Sequence, residues 1–301
     1  MTVSIARRVS ACVSRHPWAL LAGVALGCAL GCSRASDGPE LAPASAPRER
    51  ARAEAMPTQD RDPGTIPGTV LWLDAARGVE RNGEHVTRWV DQSEAGNHAV
   101  ARSERSAPAF VEVALNGEPA LLFDGQGQYL MISDASSLQF GSGDFTLAAV
   151  LSHTTHLDTA WGYGCIVSKQ EPTGGFVGAS LWGNSENRTG QLMGQLVYHE
   201  QHVLTAAQDL NDGRPLVVLL QRRTTSSGTR LLLRVNRSEA RSTPRAATDV
   251  SALGSNLHIG GTPDARQALL GNIAELVAIK GPLSAADTEA LEAYLFAKYD
   301  L

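Results

Sequence analysis

The sequence is short of lysine, aromatic residues and cysteine, and each shortage rules something out. Lysine stands only at positions 169, 280 and 298, so positive charge rests almost wholly on arginine. Acid still outweighs base, with a formal charge of −5 over 301 residues. The first 31 residues hold Arg7, Arg8 and Arg15 and no acid, which leaves the remainder at about −8. A non-specific nucleic-acid binder draws its affinity from neutralised phosphates and needs the opposite balance. A nucleic-acid partner is therefore set aside. Of the four cysteines, Cys12, Cys28 and Cys32 lie in or beside an apolar N-terminal segment, and only Cys165 lies further on, so no disulfide can staple the long C-terminal part. Aromatics make up 5% of the chain against 29 glycines, a balance that suits a turn-rich β domain better than a helical bundle.

What is present begins with an address. Residues 1–31 are built like a secretory signal, with a basic start and the apolar run WALLAGVALGCAL at 18–30. That run is too short for a membrane-spanning helix, which needs about 20 apolar residues, so it predicts a cleaved signal. It ends Ala29-Leu30-Gly31-Cys32-Ser33. This resembles the bacterial lipobox, in which a small residue precedes a cysteine that is diacylated and becomes the mature N-terminus; here Ala29 stands where Leu is usual. The resemblance implies lipidation at Cys32, with Cys28 in the similar string Ala25-Leu26-Gly27-Cys28 as the alternative. It implies an extracytoplasmic protein anchored to a membrane, and Ser33 after the cysteine implies the outer membrane if the source is Gram-negative. Residues 32–64 are rich in Pro, Ala, Ser and mixed charge, with little bulky apolar surface to offset ordering entropy. They predict a disordered tether that would hold the next domain roughly 30 Å from its anchor.

From residue 65 to 301 the texture changes to short apolar runs divided by turns. The stretch 116–133, NGEPALLFDGQGQYLMIS, reads as turn, strand, turn, strand, with Asp124-Gly125 opening the tip of a hairpin. Further runs lie at 70–74, 86–93, 165–168, 176–181, 192–198, 216–221, 231–236, 257–259 and 273–279, divided by signals such as Asn211-Asp212-Gly213 and Gly260-Gly261. In the run 145–151, Phe145, Leu147, Ala149 and Leu151 share one face, and the other face is also largely apolar. This predicts a central strand covered on both sides. One helix is expected at the C-terminus, with Ser284 as N-cap and Asp287 as its capping partner. Leu291, Tyr294 and Leu295 would line its buried face, with Glu289, Glu292 and Lys298 in water. The expected fold is all-β, an antiparallel sandwich closed by one α-helix.

Four blocks in this order resemble the laminin G-like, concanavalin A-like jelly roll. They are Trp89-Val90-Asp91-Gln92-Ser93 with Gly96-Asn97-His98-Ala99; Asn116-Gly117 through Phe123-Asp124-Gly125; residues 231–236 with Leu257-His258-Ile259-Gly260-Gly261; and Gly271-Asn272-Ile273-Ala274-Glu275-Leu276 through Leu283-Ser284. The resemblance covers nearly all of 65–301 and implies a jelly-roll sandwich. That fold hosts lectins, hydrolases, adhesion modules and spacers, so function has to be argued from a site. Relatives on this fold often hold a structural Ca2+, which here implies Asp124, Asn272 and Glu275 as candidate ligands.

The chemistry of catalysis is mostly missing. Glucanases of this fold carry E-x-D-x-x-E, a strand that puts paired carboxylates on one face for retaining hydrolysis, and no such string occurs. The nearest spacing, Asp287-Thr288-Glu289-Ala290-Leu291-Glu292, falls on the predicted helix. There is no G-x-S-x-G and no phosphate-binding glycine loop. The pairs His153/His156 and His199/His202 have i, i+3 spacing, which on a strand points to opposite faces, and HEQH is one residue short of the zinc motif. Cys165 reads as a small buried hydrophobe. Tryptophan-bearing polar loops are the natural place for a glycan site. On that ground Trp161, Tyr163, Trp182, Asn184, Tyr198 and His199 are the candidate ligand-binding residues. The expected function is non-catalytic recognition of glycan or another surface ligand, such as a surface protein. The alternatives are a structural or adhesion lipoprotein of the envelope without a small-ligand site, and a glycoside hydrolase.

Overall fold

The computed structural model describes residues 62–154, 163–183, 190–198, 200–205 and 210–301. The first strands are β1 (Thr69–Asp74), β2 (Val79–Asn82), β3 (His85–Trp89), β4 (Ala99–Val100), β5 (Ala109–Leu115), β6 (Glu118–Asp124) and β7 (Leu130–Ile132). They lead into β8 (Phe145–Thr154), β9 (Gly164–Gln170), β10 (Gly178–Gly183), β11 (Leu192–Val197) and β12 (Gln201–Leu204). The chain closes with β13 (Leu216–Thr225), β14 (Gly228–Val235), β15 (Ser238–Arg241), β16 (Leu257–Ile259), β17 (Leu270–Lys280) and helix α1 (Ala285–Lys298).

The pairings are antiparallel and build two layers. In the first, β8 lies between β13 and β17; β14 and β15 extend it beyond β13, and β6 and β1 share the far edge of β17. In the second, the order runs β3, β4, β7, β16, β9, β10, β11, β12. The layers press one apolar core between them, with Leu73, Phe123, Leu147 and Leu220 from one side and Ile166, Leu181, Leu192 and Ile259 from the other. A second core lies outside the first layer, where α1 docks. As expected, β8 is covered on both sides: Leu147, Ala149 and Leu151 enter the main core, and Ala148 and Val150 enter the one under the helix.

Helix α1 starts where its cap requires. The Ser284 hydroxyl accepts from the Asp287 amide at 3.0 Å and donates to the Asp287 carboxylate at 2.7 Å. Leu291, Leu295, Phe296 and Tyr299 are buried against β1, β8, β13 and β17, each contributing about 1.5–3 kcal/mol by leaving water. Two expectations for this helix are corrected. Glu292 is buried against Arg234, with Oε2 3.2 Å from Nη1, and Lys298 reaches inward to two buried carboxylates, Asp74 and Glu275. Glu289 is exposed, as the pattern indicated. Among the described residues no helix is long and apolar enough to cross a membrane.

The stretch 116–133 is also not the hairpin it resembles. The tight turn is Asn116-Gly117, at φ of 51° and 98°, and it joins β5 to β6. The run 109–115, which carries no clear alternation, is the true partner. Strands β6 and β7 separate at Asp124-Gly125: β6 pairs with β17 in the first layer and β7 with β16 in the second. The glycine-rich tip is therefore a crossing between layers. Asn116 has a further task, since its amide donates to the carbonyls of Tyr299 and Asp300 and ties the end of the helix region to the hairpin.

The block around Trp89 is explained as a local scaffold. Trp89 is fully buried. The Asp91 carboxylate accepts from the amides of Trp72, Ser93 and Asn97 and from the Ser93 hydroxyl, at 2.7–2.9 Å. Asn97 donates to the Val70 carbonyl and to Ser137, and His98 Nδ1 accepts from the Asp91 amide. These polar residues satisfy buried backbone donors at the entry to β1, as buried amides require. Gly260 serves packing: a Cβ there would lie 2.0 Å from the Phe123 ring.

Candidate functional site

A cavity of about 420 Å³ opens on the outer face of the second layer, within the ~300–1,000 Å³ usual for small-molecule sites. Strand alternation builds its floor. Leu192 and Leu196 of β11 enter the main core, so Met193 and Gln195 face the other way, into the cavity. In β10, Leu181 likewise enters the core, and Trp182 lies on the cavity side after a register shift between the two. Trp182, Tyr163, Met193 and Cys165 form a small apolar cluster of their own. The Trp182 indole donates to the Ser180 hydroxyl at 2.7 Å, and its ring meets Tyr163 edge-on at 6.3 Å between centroids. Burial pushes the Cys165 thiol well up, away from thiolate chemistry.

One wall is a turn that ends in Phe176. This residue is 43% exposed and has φ of 50°, a left-handed conformation uncommon for a bulky side chain. Its carbonyl accepts from the Gln170 amide at 3.0 Å, and its ring stands edge-on to Tyr198 at 5.6 Å. The Tyr198 amide in turn donates to the Gly175 carbonyl. The opposite wall carries Asp264, Arg266 and Gln267. Asp264 accepts from Thr262 at 2.7 Å and lies 3.8 Å from the Arg266 guanidinium, so the two charges at this rim largely offset each other.

Of the residues expected to bind ligand, Tyr163, Trp182 and Tyr198 line this one cavity. Trp161, Asn184 and His199 lie outside the described residues, as do His156, Cys28 and Cys32. The sequence reading missed Phe176, Gln195 and the Asp264–Arg266 pair. The Gly174-Gly175-Phe176 string was a usable signal for the first, because an aromatic beside two glycines often marks an unusual turn. His153 is buried in β8, His202 is exposed, and Cys165 is a buried free thiol.

The three candidate calcium ligands are not assembled into one site. Asp124 lies opposite Leu270, and Asn272 lies opposite Leu122 on the adjoining strand. Glu275 lies beyond a bulge in β17, and its carboxylate is already used. It accepts from the Trp72 indole at 2.7 Å, the Lys298 ammonium at 2.8 Å and the Tyr299 hydroxyl at 2.9 Å. Lys298 thus holds the place a cation would take beside this carboxylate. Among the described residues no group of three or more His, Cys, Asp or Glu side chains is placed to hold a metal ion.

No family model matches the chain, and no curated protein is similar to it in sequence. Solved structures are similar in fold. The binding domain of Paraclostridial Mosquitocidal Protein 1 aligns with 77% of this chain and 52% of its own, at 11% identity and a TM-score of 0.54. A GH54 α-L-arabinofuranosidase aligns over 78% and 60%, at 15% identity and a TM-score of 0.53. The botulinum neurotoxin serotype D binding domain aligns over 74% and 50%, at 12% identity and a TM-score of 0.51. The chain spans about half to three-fifths of each of those chains. At these identities the likeness shows the fold alone: an antiparallel β-sandwich of the kind found in binding domains and in a glycoside hydrolase.

Proposed function

We propose that this protein is a lipid-anchored, extracytoplasmic recognition module, of the laminin G-like kind, that binds glycan without catalysis in the aromatic cavity. The observation that carries the reading is the convergence of Tyr163, Phe176, Trp182 and Tyr198 from separate segments on one cavity floored by an amide. Ring faces suit the apolar faces of sugars, and amides suit their hydroxyls. An exposed phenylalanine held at positive φ adds weight, because such strain persists mainly where a function uses it. Binding domains among the structural neighbours support the reading at the level of fold. The lining chemistry is aromatic and amide, with Asp264 as a single, already engaged carboxylate among the described lining residues.

A glycan array probed with the protein tests this. Wild type is expected to bind a restricted set of glycans, and Tyr198→Ala to weaken that binding about tenfold or more, the cost of removing one aromatic anchor. The array is run with and without chelator, so that a calcium requirement shows as lost signal. No binding to any glycan would sink the site, and release of reducing ends from a polysaccharide would establish the hydrolase reading instead.

The anchor rests on the lipobox-like string at Cys32. Cys32→Ser is expected to move the protein from the membrane to the soluble fraction. Release by Cys28→Ser instead would move the anchor to Cys28, and release by neither would remove it.

A further inference from the structure

The floor of the aromatic cavity carries a side chain that the fold does not use. Gln195 is 4% exposed and lines the cavity. Its backbone carbonyl is engaged, accepting from Ser180 at 3.4 Å, but its side-chain amide forms no hydrogen bond with any described residue. The neighbouring polar groups behave otherwise. The Gln170 amide bonds Phe176 on one side and accepts from Ser168 on the other, and the Trp182 indole is taken by Ser180. The amide opens on the cavity, where only water or a ligand can meet it, so the fold gains no hydrogen bond from it.

We infer that the Gln195 amide is the specificity-determining group of this cavity, and that it selects a neutral, polyhydroxylated ring, a sugar without acidic substituents. This rests on the proposed glycan reading and deepens it. A primary amide presents donor and acceptor side by side, so it pairs with adjacent hydroxyls, each of which both gives and takes a hydrogen bond. It offers no charge to a carboxylate or sulfate. The charges at the rim, Asp264 and Arg266, stand 3.8 Å apart and offset each other, so the rim does not select an anion either. The rings of Tyr198 and Phe176 would cover the face of the sugar while Gln195 reads its edge. A site built to hydrogen-bond a hydroxyl discriminates strongly against a ligand that leaves its amide unpaired.

The test uses the full-length protein, titrated calorimetrically with neutral methyl glycosides of common hexoses and with glucuronic acid. Wild type is expected to bind at least one neutral glycoside and to prefer it at least tenfold over glucuronic acid. Gln195→Leu is expected to lose at least tenfold in affinity while its melting temperature stays level, because the substitution removes an amide that bonds no described residue of the fold. A merely structural glutamine would give the reverse, a lower melting temperature with affinity kept. Gln195→Met is the second variant should leucine fit poorly on the strand. Two results overturn the inference and leave the glycan site standing: variants that bind as wild type does, or a wild type that prefers the acid. If wild type binds no saccharide at all, while Tyr198→Ala changes nothing on the array, the site itself falls.

Discussion

Lys298→Met will destabilise the domain by about 3–5 kcal/mol, the usual effect of removing one partner of a buried ion pair. Lys298 Nζ lies 2.7 Å from Asp74 and 2.8 Å from Glu275, and both carboxylates are wholly buried. Arg77 also approaches Asp74, at 3.3 Å, but from the exposed side. The lysine therefore holds two buried charges at once, and it stands at the last residue of α1. The variant has a pH signature. Burial holds the Glu275 carboxyl above the usual carboxylate range, against the opposing pull of Lys298. An acid raised in the folded state contributes stability that is full below its unfolded pKa and is lost as pH rises through the folded one. Without Lys298 the carboxyl rises further. The deficit against wild type is then largest at high pH and shrinks as pH falls through the wild-type folded pKa of Glu275, below which both folded proteins keep this carboxyl protonated. Urea midpoints of both proteins across this range measure it. A deficit that stays under about 1 kcal/mol at every pH would show that the helix docks by apolar contact alone.

Arg222→Met is expected to leave the domain at or near unfolding. Arg222 is wholly buried. Its Nε donates to the Gly143 carbonyl at 2.6 Å; Nη2 donates to Gly141 at 2.7 Å, to Phe140 and to Gly143; and Nη1 donates to Thr248 at 3.1 Å. The guanidinium also sits 5.1 Å from the Phe145 ring centroid. Desolvation pushes its pKa down to about 10, so it is still cationic at neutral pH. The side chain gathers the loop before β8 and the segment after β15 onto one strand. The Gly141 carbonyl keeps the Val250 amide, but each of the Phe140, Gly143 and Thr248 carbonyls stranded by methionine costs about 1–3 kcal/mol, and together they approach the whole stability of a typical domain, about 5–15 kcal/mol. Arg222→Lys keeps the charge but loses the planar fork that spans Gly143 and Thr248, and should still cost about 1.5–3 kcal/mol, the range for a hydrogen bond to a charged group. Circular dichroism melts of both variants decide the point. A lysine variant as stable as wild type would mean that charge, not geometry, carries the contact.

The three lysines all make structural contacts. Lys169, like Lys298, is inside: it is 1% exposed and donates to Asp134 at 2.7 Å and to the carbonyls of Ala252 and Ser255. The Lys169 ammonium, with the Gly254 amide, holds the Asp134 carboxyl below its usual range. Lys280 donates to the Ser136 carbonyl. Lys169 and Lys280 tie loops to strands and Lys298 ties the helix to two strands, which composition alone does not reveal.

Local pattern made the β class, the covered centre of β8 and the capped start of α1 legible, because strand alternation and helix capping act within a few residues. The turn at Asn116-Gly117 was legible too, but its partner strand was not. The run 109–115 alternates poorly, and nothing local states that β6 and β7 part company at Asp124-Gly125. The site was legible in half: aromatic residues near turns pointed to Tyr163, Trp182 and Tyr198, while Gln195 looked like any strand glutamine.

The sequence by itself determined most of the extended segments, though not β2, β5, β12 or β15, and where the helix begins. Only tertiary structure decided the rest. It joined β6 to β17 and β7 to β16, and turned Glu275, Glu292 and Lys298 inward. It also set Met193 and Gln195 on the outer face opposite Leu192 and Leu196. The physical reason is range: alternation says that two faces differ, whereas which face meets a core and which opens on a cavity depends on partners far away in the chain.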